Sequence, residues 1–579
     1  MIFVDTETQA ALREGKRTHH KLKLGWACYV RLEKEKVYEE WFRFTSSEDF
    51  WRWVDKHVTI KRQLWVVAHN WHFDFFALAG FVHLHRLGYE LKRMAVDSAR
   101  FIMKFKGRKG SLLLVDFGNY FRTSLKEIGK WAGVEKLDID FNTASEEELS
   151  VYCRRDVEVL KAAFLKLLRL WVEGAYGEFK PTAAGSALAA FRHRFYSGGV
   201  YRHRVKEVNR LELEAYKGGR TECWFIGKLP RGKYYLVDVN SIYSFVMRNY
   251  PYPVRLLHYA VNPPGEKVME WQERFLLIAR VVVEVRKPVV GVKRGKLVFP
   301  IGRFEAVLTS PELDLVEKHG KVLKYLEVAV YEPAFIFQAY VDHFYRLKVE
   351  AEKRGDKAMR AFAKLLLNSL YGKWGQRIRR WEKWGRVQTP AWEILDVYGS
   401  TPRERDVVAV IGYDMYRLSK TEEFSSHSVP AIAAFVSAYA RCYLWELIEK
   451  AGEDNVYYMD TDSLLVNEAG LQRMKQFIGD WLGGLKIELE MEEGEILAPK
   501  HYRFGSRSKA KGLSPRAKKL GENKYADERF LKLRSLLRLG VVDTPVTEEV
   551  EKNLKLKYDK GVVTETGRVL PLQLSLPPR

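Results

Sequence analysis

Val456-Tyr457-Tyr458-Met459-Asp460-Thr461-Asp462-Ser463-Leu464-Leu465-Val466 reads as two apolar strands joined by a turn with two acids at its tip. Paired carboxylates at a tight turn between buried strands need a cation. Upstream, Leu236-Val237-Asp238-Val239-Asn240-Ser241-Ile242-Tyr243 again ends a strand in a carboxylate, with a tyrosine five residues on. Asp238, Asp460 and Asp462 thus form a candidate ligand set for two Mg²⁺ ions. Nucleotidyl transfer requires such a pair, to activate a hydroxyl and to neutralise a triphosphate. Between these segments, Lys364-Leu365-Leu366-Leu367-Asn368-Ser369-Leu370-Tyr371-Gly372 places Lys364, Asn368 and Tyr371 on one helix face. Lys364 suits a phosphate there, and Tyr371 suits packing on a nascent base pair.

A second carboxylate set lies near the N-terminus. Asp5-Thr6-Glu7 follows apolar Met1-Ile2-Phe3-Val4, so on a strand both acids share a face. His69-Asn70-Trp71-His72-Phe73-Asp74 adds a third carboxylate, and Tyr152-Cys153-Arg154-Arg155-Asp156 a fourth, one helical turn after a tyrosine. Phosphodiester hydrolysis by two metal ions needs this donor set: Asp5, Glu7, Asp74 and Asp156 as ligands and Tyr152 to position the attacking water. Thr8, Asn70, Phe73, Ser124 and Leu125 are candidate contacts for a frayed single strand, combining polar groups with apolar packing on bases. Lys136 either offsets charge on the leaving phosphate or is a solvated lysine. Leu112–Val115 reads as a further strand delivering a carboxylate, Asp116, and Ser145 with Glu148 as the cap of a helix running to Leu170.

The 579 residues exceed what one core supports, so several domains are expected. A net charge of +23 points to a polyanionic partner, nucleic acid first and an anionic membrane second. No apolar run approaching the roughly eighteen residues of a bilayer span is evident, nor a signal peptide, so no membrane association is expected. Cys28, Cys153, Cys223 and Cys442 are scattered, with no Cys-x-x-Cys pair. That spacing argues against disulfides or zinc and for a reducing, cytoplasmic setting. Alternating strand and helix patterns imply an α/β or α+β chain.

In the order of these motifs the chain resembles family B DNA polymerases, and within them the protein-primed enzymes of phage and linear plasmids. The resemblance rests on three exonuclease motifs (Asp5 to Glu7, Asn70 to Asp74, Tyr152 to Asp156). Three polymerase motifs follow (Asp238 to Tyr243, Lys364 to Gly372, Tyr458 to Ser463), with Tyr216-Lys217-Gly218-Gly219 and Lys500-His501-Tyr502 as smaller signatures. It implies an α+β multi-domain chain: a ribonuclease-H-like α/β exonuclease domain and a right-hand polymerase of palm, fingers and thumb with two subfamily insertions. The expected bounds are 1–178 for the exonuclease, 179–250 and 428–524 for the palm, and 336–375 for the fingers. A first insertion facing a terminal protein would span 251–335, a second for strand displacement and processivity 376–427, and the thumb 525–579.

The resemblance further implies Tyr243 as the steric gate against a ribose 2′-hydroxyl, and Lys364, Asn368, Tyr371 and Lys348 as nucleotide ligands. Val239 joins Asp238 at the metal site. Tyr216, Gly218, Gly219, Lys500 and Tyr502 become DNA contacts, and Lys509, Lys511, Arg516, Lys518 and Lys519 a loop tracking the duplex. Ser244 departs from the proline common after the motif tyrosine. In the second insertion, Trp374, Trp381, Trp384 and Trp392 alternate with Arg377, Arg379, Arg380, Lys383 and Arg386, as a base-stacking surface would or as a hairpin packed on itself. The implied partners are primer-template DNA, deoxynucleoside triphosphates and a terminal protein, acting on a monomer with two Mg²⁺ or Mn²⁺ ions in each site. Two alternatives stay open: primer-independent initiation, and a nuclease or binding relative whose polymerase site is inactive.

Overall fold

Strand Ile2–Glu14 organises the N-terminal unit of the computed structural model, which describes residues 1–33, 36–97, 100–141, 143–398, 405–554 and 556–576. It pairs antiparallel with Arg17–Glu33 and parallel with Leu64–Ala68; Gly110–Asp116, Arg100–Gly107 and Glu90–Asp97 follow across the sheet. Ile2, Phe3 and Val4 are fully buried, which is why the run is apolar throughout: a central strand covered on both faces has no polar side. Helix Glu146–Glu173 covers this sheet and begins with the expected capping box of Ser145 and Glu148.

A second sheet carries the acidic turn. Its order is Leu485–Met491, Tyr234–Val239, Ser463–Asn467, Val456–Asp460 and Thr221–Cys223, so the strand of Asp238 lies between two strands from far along the chain. Helix Pro430–Ala451 runs through the adjoining core, with 83% of its most apolar stretch buried inside the protein. It corrects the expectation that no run is long and apolar enough to span a bilayer. Its small residues (Ala431, Ala433, Ala434, Ala438, Ala440) let it sit deep among neighbours rather than in lipid. The region 336–375, expected as fingers, contains the helical hairpin Gln338–Lys353 and Lys357–Ser369, turned at Gly355 with φ +70°.

The region 251–335 forms its own sheet, Tyr252–Val261, Gly320–Ala334, Leu276–Val285 and Ile301–Thr309. Residues 525–579, expected as a small thumb, pair with two neighbouring sheets. Val546–Asn553 pairs with Arg17–Glu33, and Lys524–Phe530 and Lys518–Gly521 follow, extending the N-terminal sheet to ten strands among the described residues. Arg17–Glu548 at 3.0 Å and Arg13–Glu549 at 2.9 Å line this junction. Further on, Gln573–Ser575 pairs parallel with Ile301–Thr309. In both places the C-terminal segment covers a sheet edge whose N–H and C=O groups would otherwise lack partners.

The region 376–427, expected as a second insertion, contains the long hairpin Trp381–Tyr398 and Arg405–Leu418; residues 399–404 lie outside the described residues. Its tryptophans do not form one stacking face. Trp374 is buried at 1% exposure, and Trp381 and Trp392 pack on the N-terminal core beside buried Ile394, Ala409 and Ile411. Only Trp384, 49% exposed, is presented to solvent. The interleaved cations are ion-paired: Arg377 and Arg379 with Glu422, Arg380 with Glu423, and Lys383 and Arg386 with Asp414.

Candidate active sites

The first centre gathers carboxylates from three elements. Asp5 and Glu7 stand at alternate positions of Ile2–Glu14, Asp74 comes from helix Trp71–Ala77, and Asp156 from helix Glu146–Glu173. Asp74 accepts a 2.6 Å hydrogen bond from Thr6 Oγ1. Lys136 Nζ bonds Asp156 Oδ2 and lies 4.1 Å from the centroid of the Tyr152 ring. The sequence therefore brings Asp5, Glu7, Asp74, Tyr152, Asp156 and Lys136 together, and Lys136 is paired rather than solvated.

The electrostatics of this cluster are those of a site short of positive charge. Burial, then Asp156, Asp74 and Glu7, push the Asp5 carboxyl far above its usual range. Burial and Asp156 lift Glu7 to about 7, burial first and also Asp116 and Glu7 lift Asp74 to about 8, and Asp156 is raised by burial despite Lys136. Asp156 Oδ1 is buried without a hydrogen-bond partner. Four acids held this close around Lys136, and one oxygen unsatisfied, fit hard divalent cations bound through oxygen.

The surrounding positions divide by role. Asn70 adopts φ +81°, and the main-chain N–H groups of Asn70 and Trp71 donate to Asp116 at 3.1 and 2.8 Å. Asp116 also accepts from Gly118 N–H at 2.7 Å, so this expected ligand strand sets the entry of the helix that carries Asp74. Phe73 meets Phe530 edge to face at 5.4 Å, and Thr8 follows an irregularity in strand pairing after Glu7. Ser124 and Leu125, expected at a bound strand, stand at the start of helix Leu125–Ala132. Ser124 Oγ caps helix Leu125–Ala132 by accepting from Glu127 N–H, and Leu125, 8% exposed, faces the core. Cys153, unremarked in the sequence as a site residue, puts Sγ 3.7 Å from Asp5 Oδ2.

The second centre lies on the five-stranded sheet. Asp238 sits opposite Ser463, Val239 N–H donates to the Asp462 carbonyl at 2.7 Å, and Thr461 takes φ +66° between the two acids of the turn. Burial, Asp462 and Glu488 lift Asp238 to about 7, and burial with Asp460 and Glu488 raises Asp462. Asp460 differs. Burial would raise it, but Lys500 Nζ at 3.0 Å, Thr221 Oγ1 at 3.0 Å and Lys509 Nζ at 3.5 Å hold it below the ordinary carboxylate value.

Tyr243 and Tyr371 stack with centroids 4.6 Å apart and planes 12° from parallel. Lys364 and Asn368 are exposed on their helix. Lys348 is partly buried, its ammonium held down by burial and by Arg360, Lys364 and Lys486. Arg360, Lys486 and Glu488 escaped the sequence reading. The last two lie on Leu485–Met491, which reaches Asp238 only through a long-range pairing with a register shift at Leu236/Val237. Tyr502 stacks on Phe504 at 4.0 Å, and Ser244, 1% exposed, donates to the Leu367 carbonyl at 3.5 Å.

Beneath the turn runs Tyr216-Lys217-Gly218-Gly219. Lys217 is buried and donates to the Val307 carbonyl at 2.7 Å; burial draws it down to about 8 although Glu312 lies 3.4 Å away. Arg441 binds Glu312 at 2.8 Å and the Gly218 carbonyl at 2.9 Å. Tyr216 accepts from the Tyr371 hydroxyl at 3.5 Å. A Cβ on Gly219 would lie 2.7 Å from Thr461 Cγ2 and 2.9 Å from its Oγ1, so this loop abuts the acidic turn directly.

Residues 126–450, more than half of the chain, match the family model for DNA polymerase type B, organellar and viral. A probable DNA polymerase of Ascobolus immersus is 26% identical over 471 residues, covering 76% of this chain and 38% of that protein. The DNA-directed DNA polymerase of Enterobacteria phage PRD1 is 24% identical over 444 residues, covering 75% and 72%. The chain thus spans well under half the length of the fungal relatives it matches, 38% and, for that of Neurospora intermedia, 37%. Among solved structures, Phi29 DNA polymerase in ternary complex superposes with a TM-score of 0.69 at 17% identity, covering 96% of this chain and 99% of that one. With that fold, two carboxylate centres and this match, the chain belongs to the organellar and viral type B DNA polymerases.

Proposed function

We propose that this protein is a template-directed DNA polymerase with a proofreading 3′–5′ exonuclease, each centre working with two divalent ions, Mg²⁺ or Mn²⁺. The observation that carries the reading is the meeting of Asp238, Asp460 and Asp462 with the stacked Tyr243–Tyr371 pair and the Lys348–Arg360–Lys364–Lys486 cluster. Bound there, divalent ions lower the barrier by activating the primer hydroxyl and neutralising the triphosphate. Asp238, Asp460, Asp462 and the Val239 carbonyl would hold them. Lys364, Lys348 and Asn368 receive the triphosphate. Tyr243 closes the pocket on the sugar side against a 2′-hydroxyl, while Tyr371 supports the base pair. Lys500, now on Asp460, would exchange that partner for the primer strand, with Tyr502 fixing its loop.

In the exonuclease centre Asp5, Glu7, Asp74 and Asp156 would hold the ions, and Tyr152 would orient the water. Lys136 offsets charge on the departing phosphate. Asn70, Thr8 and Phe73 guide the frayed strand. Tyr216, Gly218 and Gly219 carry DNA between the two centres. The natural substrates in this reading are primer-template DNA and deoxynucleoside triphosphates; the Phi29 complex is with primer-template DNA and incoming nucleotide substrates. A terminal protein on the 251–335 region would provide the initiating hydroxyl, for a monomer in the cytoplasm. Incorporation on a single-stranded DNA circle, with and without an annealed oligonucleotide, tests this. Synthesis on the primed circle alone supports it, synthesis on both favours primer-independent initiation, and synthesis on neither with strands still digested leaves only a nuclease.

A further inference from the structure

The strand that steadies Asp460 is itself steadied from the far end of the chain. Thr221–Cys223 is the outermost strand of the five-stranded sheet and pairs with Val456–Asp460, Asp460 opposite Thr221 and Tyr458 opposite Cys223. Thr221 Oγ1 donates to Asp460 Oδ1 at 3.0 Å, and the Arg220 carbonyl accepts from Thr461 N–H at 2.7 Å. A strand at a sheet edge leaves its outward N–H and C=O groups without strand partners. Two side chains of the C-terminal segment take them. Lys560 Nζ donates to the Thr221 carbonyl at 2.8 Å, and the Tyr558 hydroxyl accepts from Cys223 N–H at 3.2 Å. Burial holds the half-buried Lys560 ammonium below the ordinary lysine range, so the carbonyl it binds is sheltered from water. The segment is firmly anchored beyond this contact. Its Gly567 carbonyl accepts from Ile226 N–H at 2.8 Å, Val569 N–H donates to the Trp224 carbonyl at 3.0 Å, and Arg568 donates to the Val456 carbonyl at 2.9 Å.

We infer that Lys560, with Tyr558 beside it, is a positioning residue for nucleotide incorporation: from the C-terminal segment it fixes Thr221–Cys223, and through the Thr221 hydroxyl it fixes how the Asp460 carboxylate faces. A carboxylate that accepts from Thr221 on one oxygen has fewer orientations open to it. Partners at this remove from a metal ligand typically change metal affinity or rate by about 10- to 100-fold. Lys560 acts through Thr221 and is given no contact with substrate or ion. The same segment goes on to pair with Ile301–Thr309 through Gln573–Ser575, which leaves it little freedom to slide and makes it a fixed support for the edge strand. The inference rests on reading Asp238, Asp460 and Asp462 as the centre of synthesis.

The test measures nucleotide incorporation by the full chain on a primed single-stranded DNA circle at varied Mg²⁺, beside single-strand digestion, primer-template affinity and melting temperature. Lys560→Met keeps the apolar stem and removes the donor. It should lower the rate at saturating nucleotide about tenfold and raise the Mg²⁺ needed for half-maximal rate. KM for nucleotide, primer-template affinity and digestion should stay as they are. Lys560→Arg should restore most of the rate. Thr221→Val should show the same defect, and adding Lys560→Met to it should cost no more than the larger single loss, because both act on one carboxylate. A lysine that serves stability alone would give additive losses, an unmoved Mg²⁺ dependence and no rescue by arginine, and any of these overturns the inference. If Lys560→Met does not fold, Tyr558→Phe removes only the acceptor and should give the same pattern at smaller size; a wild-type rate and Mg²⁺ dependence in that variant overturns the inference. Full incorporation by Lys560→Met removes the inference alone. A wild type that incorporates nothing removes the reading of the synthetic centre, and the inference with it.

Discussion

Replacing Gly219 by alanine should injure synthesis through the acidic turn. The added Cβ would stand 2.7 Å from Thr461 Cγ2, 2.9 Å from Oγ1 and 3.1 Å from Cβ. Ordinary carbon contacts lie at about 3.5–4.0 Å, so roughly 0.8 Å must be found. A threonine rotamer change does not find it, because both branches are already too close and the side chain is stiff. Thr461 is itself fixed at φ +66° with its N–H on the Arg220 carbonyl at 2.7 Å, between Asp460 and Asp462. Overpacking of this kind costs about 1–3 kcal/mol, and a displacement near 1 Å at reacting groups costs up to about a hundredfold in rate. Gly219→Ala should therefore lower kcat/KM for nucleotide incorporation by about ten- to a hundredfold and leave single-strand digestion intact. Gly218 has open space where its Cβ would stand, so Gly218→Ala is the matched control. Thr461→Gly removes the clashing atoms at a backbone angle glycine tolerates, and adding it to Gly219→Ala should restore much of the rate. Equal kinetics for the two alanine variants, a parallel loss of digestion, or no rescue would refute the reasoning.

Other outcomes follow from the exonuclease side. Lys136→Ala should slow digestion on the order of a hundredfold, by loss of the lysine paired with Asp156, with incorporation unchanged in a primer-extension assay. Leu125→Ala should cost roughly 2–5 kcal/mol in denaturant unfolding, as a core truncation does, and leave strand binding as it was; weakened binding at full stability would make Leu125 a strand contact after all. Glu7 near 7 and Asp74 near 8, against ordinary values of 4.5 and 3.8, mean that the metal-free folded state holds more protons than the unfolded one across this window. Stability from these groups is then complete below about pH 4 and declines as pH rises towards 8. Melting in EDTA should fall from about pH 5 to about pH 8, and Mg²⁺ should recover more at the higher pH; a constant Mg²⁺ effect would contradict this.

What the sequence made legible is what short-range patterns encode. Both carboxylate sets, the Ser145–Glu148 cap and the order of the motifs are local, and each acid at a strand end announces itself by the apolar run before it. Residues whose roles depend on distant partners were not legible. Lys486 and Glu488 meet Asp238 across a shifted strand pairing, Asp116 works through main-chain N–H groups of another segment, and Cys153 puts its thiol beside Asp5 on the first strand. Composition does not settle what burial decides. The tryptophans between 374 and 392 read equally as a stacking surface or as a packed hairpin, and only the hairpin's place on the N-terminal core decides.

The central claim is that two independent carboxylate centres perform synthesis and digestion in one chain. Its most direct test assays Asp460→Ala, and Asp5→Ala combined with Glu7→Ala, for nucleotide incorporation and for single-strand digestion with Mg²⁺. The first variant should lose synthesis and keep digestion, and the second should do the reverse. Loss of both activities in either folded variant would contradict the two-centre account.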